Sequence, residues 1–381
     1  MNKRALLFVA AVVAVAIGAW FALKQPSTDA SAPVQTQVVQ LGAVLPLTGD
    51  VAAYGTGSKE GIDFAVERAN KAQNRYRFVV TYEDSKGDPK TAVTGLQKLL
   101  AIDKPIAIIG ENVSSPTLAM VPIVDAAKVV LISPSASAPN LSGMSRYFFR
   151  VFPSDSEEGV FMCDAIKKND PNARVCVLYI NNDYGVGLKQ VVQARAQQAG
   201  LKVLGVFGYD KTMTDYRPIL AKVKALAPSS IYLPGYYQDG AAILKQAREL
   251  GIKANFWGAT THDDPQFVTL AGQAAEGFRY PVSAPYDPLS QDSTVRTFVT
   301  GFKTVRSAEP GLLAALGYDC AQLLIGAVIA NGPSSDAIQK FIGSQQNYPG
   351  VTGTMTFDDK GDVHKPIHLK QIQEGSASAI D

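Results

Sequence analysis

The sequence predicts an α/β protein with two doubly wound lobes, each built on a parallel sheet. Continuous apolar runs alternate with amphipathic segments, a pattern typical of parallel sheets covered by helices on both faces. The same rhythm begins again after the stretch RYFFRVF at residues 146–152. The length of 381 residues also exceeds what one hydrophobic core usually holds, so about two domains are expected.

The first 24 residues are expected to be a signal peptide or an N-terminal membrane anchor. Lys3 and Arg4 precede an apolar stretch at 5–23, which as a helix would span roughly 28 Å, close to a bilayer core of about 30 Å. Residues 25–37 are rich in Pro, Ser, Ala and Gln and are expected to be a flexible linker. We therefore expect a periplasmic location, either free after cleavage or tethered to the inner membrane through residues 5–23.

The first lobe is predicted from residue 38 onward. Strands are expected at VVQLGAVLPL, RYRFVVTYED, PIAIIG and VVLIS. Helices are expected at SKEGIDFAVERANKA, at DPKTAVTGLQKLLA and from about Pro116. Asp88 followed by Pro89 is typical of a capped helix start with proline in the first turn.

The second lobe is predicted from the next set of alternating segments. Strands are expected at ARVCVLYI, KVLGVFGY, SSIYLPGY and NFWGAT, with helices between them from Tyr184 and near 215–226. Residues 290–346 are expected to be mostly helical, and GTMTF and IHLKQIQ to be late short strands.

Polar and aromatic side chains follow four of the predicted strands. IAIIG leads into ENVSSPT, VVLI into SPSAS, VLYI into NNDYG, and IYLPG into YYQDG. Because ligands of open parallel sheets bind beyond the carboxyl ends of the strands, these segments predict a binding cleft between the lobes.

Ser114, Ser135 and Ser137 are candidates for holding a carboxylate. Unpaired N–H groups and a partial positive charge at a helix N-terminus, together with serine hydroxyls, suit an anion that must be released again. Ser114 alone is equally well explained as a helix N-cap. Serines at two neighbouring strand ends favour the ligand site.

Tyr54, Tyr184 and Tyr236 are candidates for the cleft walls, because they follow strand ends or open helices. Each alone is also explained as a partly buried packing residue. Together they would provide apolar walls with hydroxyl tips, as in many small-molecule pockets.

Other chemistry has little support. Basic and acidic residues number 36 and 34, so nucleic acid is not an expected partner. Pro366 separates His364 from His368 and prevents the helical pair that binds metals, and THDD at 261–264 is better explained as a turn and helix cap than as a metal site. GTGSKEG fits neither a dinucleotide fingerprint nor a P-loop, and no nucleophile motif is found. We expect no metal, no cofactor and no enzyme activity.

The three cysteines are an odd number for an exported protein. Cys176 lies inside an apolar run and is expected to be a buried small residue. The sequence leaves open a bridge between Cys163 and Cys176.

The chain resembles the leucine/isoleucine/valine-binding type of periplasmic substrate-binding protein, the ligand-capturing component of ABC importers. The resemblance runs from about Val38 to Gln373. It depends on LPLTGDVAAYG, YEDSKGDPKTAV, IIGENVSSPT, ISPSASAP, NNDYGVGL, YLPGYYQDGAAILKQARELG and FDDKGD, in this order. It implies the type I periplasmic binding fold, with two lobes joined by a three-crossover hinge: 38–153 plus 284–348, and 154–283 plus 349–376.

The resemblance also implies roles for the site residues. Ser114, Ser135 and Ser137 match the residues that hold the ligand's α-carboxylate and amine, and the three tyrosines match the family's tyrosines. The family's acidic partner of the ligand ammonium falls on Thr260, which carries no charge. Asp263 or Asp264 is the expected substitute, and without one the ligand would be a carboxylate lacking an amine, or an amide.

These observations predict an ABC importer's binding protein for a small amphipathic carboxylate, first of all an apolar or branched-chain amino acid. A monomer that closes on its ligand and then docks on a permease is expected. One alternative is a sensor module that feeds a receptor or regulator. Another is a hydrolase, for which the sequence offers no catalytic histidine or carboxylate pair.

Overall fold

The computed structural model describes residues 36–73, 75–283 and 286–380. The expected signal or anchor at 1–24 and nearly all of the linker at 25–37 lie outside this part. The described residues from Val38 onward form one unit with two sheets. The strands are β1 (Gln37–Leu45), β2 (Tyr76–Asp84), β3 (Ala107–Gly110), β4 (Val130–Ser133), β5 (Phe148–Arg150), β6 (Arg174–Ile180), β7 (Lys202–Tyr209), β8 (Ser230–Leu233), β9 (Asn255–Gly258), β10 (Arg279–Val282), β11 (His368–Gln373) and β12 (Ser376–Ala379).

Helices connect most of these strands. They are α1 (Ala52–Ala72), α2 (Pro89–Lys98), α3 (Ser114–Ala127), α4 (Asp155–Asn169), α5 (Asp183–Ala199), α6 (Arg217–Ala225), α7 (Tyr237–Glu249), α8 (Pro265–Ala271), α9 (Ser293–Arg306), α10 (Leu312–Asn331) and α11 (Ser335–Gly343). The helix–strand alternation predicted from the sequence is confirmed.

The first sheet has the strand order β2-β1-β3-β4-β5 and is buried on both faces. Ile109 and Ile132 point to the core shared with α1, α9 and α10. Their neighbours Ile108 and Leu131 point to the opposite core, which α2 and α3 cover. Successive strand residues face opposite sides, so a strand covered on both sides must be apolar at every position. This explains the continuous apolar runs in the sequence.

The second sheet has the order β12-β11-β10-β9-β8-β6-β7. The strands from β6 to β10 are parallel, but β11 and β12 run antiparallel as a terminal hairpin. Glu374 and Gly375 form its turn with positive φ angles of 50° and 72°. Two successive residues with positive φ are what a tight two-residue hairpin turn requires. The expected strand GTMTF is absent from both sheets and contributes only the isolated bridges of Met355 and Phe357.

Helices α1 and α10 pack with their backbones in close contact. A Cβ atom on Gly61 would lie 1.8 Å from the carbonyl oxygen of Ala314, and one on Gly317 would lie 2.1 Å from that of Ser58. Among the described residues, α10 is also the one helix long and apolar enough to cross a membrane, with a mean hydropathy of 1.8. Most of its residues are buried in the core that also contains Ile109 and Ile132, which is called the first core below.

The chain passes three times between the cores of the two sheets. It leaves the first core after Phe152 and returns to it by Val295. The last passage lies between Val363 and Ile372, because Val363 packs in the first core and Ile372 in the second. Residues 351–363 therefore accompany the first sheet, whereas the sequence-based division places 349–376 in the second lobe.

All three cysteines are buried free thiols. Cys163 donates to the carbonyl oxygen of Val192 over 3.4 Å, and burial raises the pKa of its thiol to about 12. The bridge between Cys163 and Cys176 that the sequence left open is not formed.

Candidate functional site

A cavity of about 340 Å³ lies at the carboxyl ends of strands from both sheets. All eight residues singled out from the sequence line it: Tyr54, Ser114, Ser135, Ser137, Tyr184, Tyr236, Thr260 and Asp263. Its apolar wall includes Phe152, Leu312, Leu313 and Leu316. The structure therefore brings together the residues that the strand-end argument selected, and their roles toward a ligand stay predictions.

The three serines belong to two neighbouring strand exits. Ser114 is the first residue of α3 and not its N-cap, which is Val113. Its hydroxyl accepts the N–H of Ala138 over 3.2 Å, so it connects the exits of β3 and β4. Ser135 likewise donates to the carbonyl oxygen of Asn112 over 3.1 Å. The first N–H groups of α3, which have no partner within the helix, lie beside these hydroxyls.

Arg150 fixes the segment that carries Ser137. Its guanidinium is fully buried and pairs with Asp362 over 2.7 Å. It also donates to the carbonyl oxygens of Ala136 and Ala138 over 3.4 and 3.0 Å. Because these carbonyls flank Ser137, the arginine holds the serine's backbone in place.

The tyrosines form one wall of the cavity. Tyr184 and Tyr236 stack with ring centroids 5.5 Å apart, and Tyr54 approaches Tyr236 at 6.1 Å. Tyr54 belongs to α1 but packs in the core of the second sheet, and its hydroxyl donates to the carbonyl oxygen of Thr261 over 3.4 Å. Burial raises the pKa of all three phenols, which keeps them neutral hydrogen-bonding groups.

The residues expected to replace the family's acid already have partners. Asp263 accepts from Lys370 over 3.0 Å and from the hydroxyl of Tyr280 over 3.0 Å. Asp264 caps α8 by accepting the N–H of Gln266 over 2.8 Å. Both line the cavity, but the charge of Asp263 is balanced by a lysine.

Two buried acids that were not predicted from the sequence also line the cavity. Asp155 and Glu158 lie in the first turn of α4 and are 1% and 2% exposed. Glu158 accepts the N–H and the hydroxyl of Thr260 over 3.2 and 2.5 Å, and the hydroxyl of Ser283 over 2.9 Å. Burial raises the pKa of both carboxyls, and in Asp155 the charge of Glu158 adds to the effect.

All the charged side chains that the structure describes in the cavity lining are acidic. The described lining includes five carboxyl groups and no lysine, arginine or histidine; the acids are Glu60, Asp155, Glu158, Asp263 and Asp264. A ligand that carries only negative charge would find no positive side chain there, whereas a cationic group would be attracted. The hydroxyls and helix N–H groups beside Ser114 and Ser137 still suit a carboxylate. The cavity can therefore hold a small molecule with both charges.

The periplasmic binding protein family model matches residues 38–377. The leucine-, isoleucine-, valine-, threonine-, and alanine-binding protein of Pseudomonas aeruginosa is 25% identical over 337 residues, which are 88% of this chain and 89% of that protein. A leucine-binding protein from Thermotoga maritima matches with a TM-score of 0.84 and 26% identity, covering 90% of this chain and 98% of that one. The substrate-binding protein of a branched-chain amino acid transporter from Streptococcus pneumoniae, in complex with isoleucine, matches with a TM-score of 0.80 and 25% identity over 90% and 99% of the two chains.

Proposed function

The chain belongs to the periplasmic binding protein family, and from this premise we propose that it is the extracytoplasmic substrate-binding protein of an ABC importer. Its ligand is an apolar α-amino acid, and the branched-chain amino acids are the first candidates. Relatives named for leucine, isoleucine and valine support this class of ligand. The residues that line the cavity of this chain support the same class of ligand independently of the relatives.

The observation that carries the proposal is the arrangement of donors and acids around the cavity. Serine hydroxyls and helix N–H groups lie on one side, and Asp155 lies directly beside them, because its N–H donates to the carbonyl oxygen of Ser137 over 2.9 Å. In an α-amino acid the carboxylate and the ammonium are separated by a single carbon atom. Adjacent sites for the two charges fit such a molecule, and the leucines opposite fit an apolar side chain.

The acidic lining weighs against the alternative of a carboxylate without an amine. Such a ligand would place its negative group near the buried carboxyls of Asp155 and Glu158 without bringing a cation, at a cost in desolvation and repulsion. An amide without an amine lacks the positive charge that the acids attract.

The proposed mechanism is closure of two lobes on the ligand. We assign residues 38–153, 284–348 and 349–363 to the first lobe, and 154–283 and 364–376 to the second. Because only the closed form contacts the ligand from both sides, ligand binding shifts the equilibrium toward it. The closed monomer then docks on an ABC permease. The relatives support export to the periplasm, and the intact mass of the purified protein decides whether the N-terminal segment is removed.

Thermal unfolding with a panel of ligands tests the proposal. The protein is expressed from the full sequence, purified from the cell envelope and heated with leucine, isoleucine, valine, 4-methylpentanamide, 4-methylpentanoate and benzoate. A ligand at about 1,000 times its dissociation constant adds roughly 4 kcal/mol, which raises the melting temperature by several degrees. We expect an increase of this size with the amino acids, and a much smaller one with the ligands that lack an amine. An increase with 4-methylpentanoate or benzoate but with no amino acid would contradict the proposed ligand class.

Replacing the serines tests the position of the carboxylate. Ser114→Ala and Ser137→Ala are each expected to weaken leucine binding by about 1–3 kcal/mol, because each removes a donor to a charged group. Isothermal titration calorimetry measures the effect, and the exposed Ser344→Ala is the matched control. Leucine binding that is unchanged in both variants would place the carboxylate elsewhere.

A further inference from the structure

Asp155 and Glu158 form a pair of buried acids on one side of a helix. They are three residues apart in the first turn of α4, a spacing at which helical side chains are neighbours. Both line the cavity, and both are almost fully buried. Their helix begins directly after the first passage of the chain between the two cores.

Asp155 presents an acceptor that lacks a partner. Its Oδ2 atom is buried and has no hydrogen-bond partner among the described residues, and the same is true of Oδ1 of Asn112 on the cavity wall. Buried polar atoms are nearly always hydrogen-bonded, so an unpaired acceptor on a cavity wall indicates a missing donor. An ammonium group carries three N–H donors and could serve such acceptors.

Glu158 brings a carboxylate to the position where the family resemblance implies one. Thr260 stands where the family has an acid, and its N–H and hydroxyl both donate to Glu158. The charge missing from residue 260 is therefore present immediately beside it, on a different element of the fold. Three donors occupy the carboxylate of Glu158, which leaves acceptor capacity for a further one.

We propose that Asp155 and Glu158 together bind the ligand's ammonium group, in place of an acid at position 260, and that binding expels a proton which the pair holds when the cavity is empty. This inference rests on the proposed function, because it requires a ligand with an ammonium group. The ammonium keeps its three hydrogens. The displaced proton leaves a carboxylic acid of the pair for the solvent, and the pair gains one negative charge.

The surroundings of the pair favour a retained proton. The charged and titratable groups that face it are Arg150 from β5, Tyr184 from α5, Tyr232 from β8 and Tyr236 just before α7. The charge of Arg150 is already balanced by Asp362, and burial keeps the three phenols neutral by raising their pKa. Two neighbouring carboxyls in such a place do not both ionise readily.

The expected pH dependence follows from the sign of this shift. A raised pKa means that the empty pair still holds a proton at a pH where an ordinary carboxyl has lost it. The ligand's ammonium group prefers the ionised pair, so leucine binds more tightly as the pH rises through the pKa of the empty site, and its affinity levels off above it. The 4-methylpentanoate ion lacks the ammonium and should show the opposite trend.

Calorimetry of the protein expressed from the full sequence tests the inference with leucine and 4-methylpentanoate as probes. Titrations in buffers with different ionisation enthalpies give the number of protons released. We expect proton release with leucine and a fall in its affinity from about pH 8 to about pH 5. Asp155→Asn and Glu158→Gln should each weaken leucine binding by at least about tenfold and reduce the proton release, while 4-methylpentanoate binding is kept or improved. Glu157→Gln is the matched control, since Glu157 contacts His364 outside the cavity.

The outcomes separate this inference from the proposed function. Wild-type protein that binds leucine without releasing protons, and variants that bind it equally well, would overturn the acid pair and leave the amino-acid-binding function intact. A selective loss of leucine binding in Asp263→Asn would overturn the pair in favour of that acid. Failure of the wild type to bind any amino acid would reject the proposed function and the inference with it. The wild-type pH and buffer series needs no variant, so it remains decisive if a variant fails to fold.

Discussion

Arg150→Met is expected to lower the free energy of unfolding by about 3–5 kcal/mol, because it leaves the carboxylate of Asp362 buried without its partner. The carbonyl oxygens of Ala136 and Ala138 lose their donor in the same change. Since these carbonyls flank Ser137, leucine affinity should fall as well. Urea denaturation measures the stability, and a lower midpoint with an unchanged slope identifies a loss of stability.

Two further variants make this prediction sharper. Arg217→Met removes an arginine that also pairs with acids but is half exposed, and it should leave the midpoint unchanged. Arg150→Met combined with Asp362→Leu removes both charges and should recover much of the loss. A single Arg150→Met variant as stable as the wild type would show that the buried pair does not hold the site segment.

Gly61→Ala is expected to lower the free energy of unfolding by about 3 kcal/mol, at the upper end of ordinary overpacking. The new Cβ would lie 1.8 Å from the carbonyl oxygen of Ala314, and backbone atoms cannot rotate away as a side chain can. Helix propensity alone predicts the opposite sign, since alanine is favoured over glycine inside a helix by about 1 kcal/mol. Thermal and urea unfolding decide between the two signs.

Gly343→Ala is the control for this change. Gly343 is the last residue of α11, is exposed, and has its nearest neighbouring atoms at 3.9 Å. Its replacement should leave the stability equal or slightly higher. If Gly61→Ala also proved neutral, the close approach of α1 and α10 could not be rigid.

Much of the fold could be predicted from the sequence, because strands buried on both faces are apolar at every position. Residues 107–109 and 130–132 carry this signal fully. The strand β12 does not, since SASA contains no large apolar residue and forms only by pairing with β11. The packing of residues 351–363 against the first sheet could not be predicted either, because short apolar segments fit the core of either sheet equally well.

The candidate site could be predicted where its residues follow strands, and not where they begin a helix. Ser114 and Tyr184 lie just beyond apolar runs, which indicated the cleft. Asp155 and Glu158 lie in SDSEEG, which is typical of a capped helix start with acidic first-turn residues. Their orientation toward the cavity depends on how the chain passes between the two cores, and that is a property of the tertiary structure.

The contacts that Tyr54 makes across the cavity bear on how tightly any ligand can be held. Tyr54 comes from α1 yet packs with Tyr236 and Tyr237 of the second sheet's core. Under the proposed closing motion, such contacts stabilise the closed form before a ligand arrives. Apparent affinity is the intrinsic affinity scaled by the fraction of molecules already competent to bind. Evolution could therefore adjust the concentration range over which this protein captures its ligand by altering contacts between the lobes, without changing which ligand it selects.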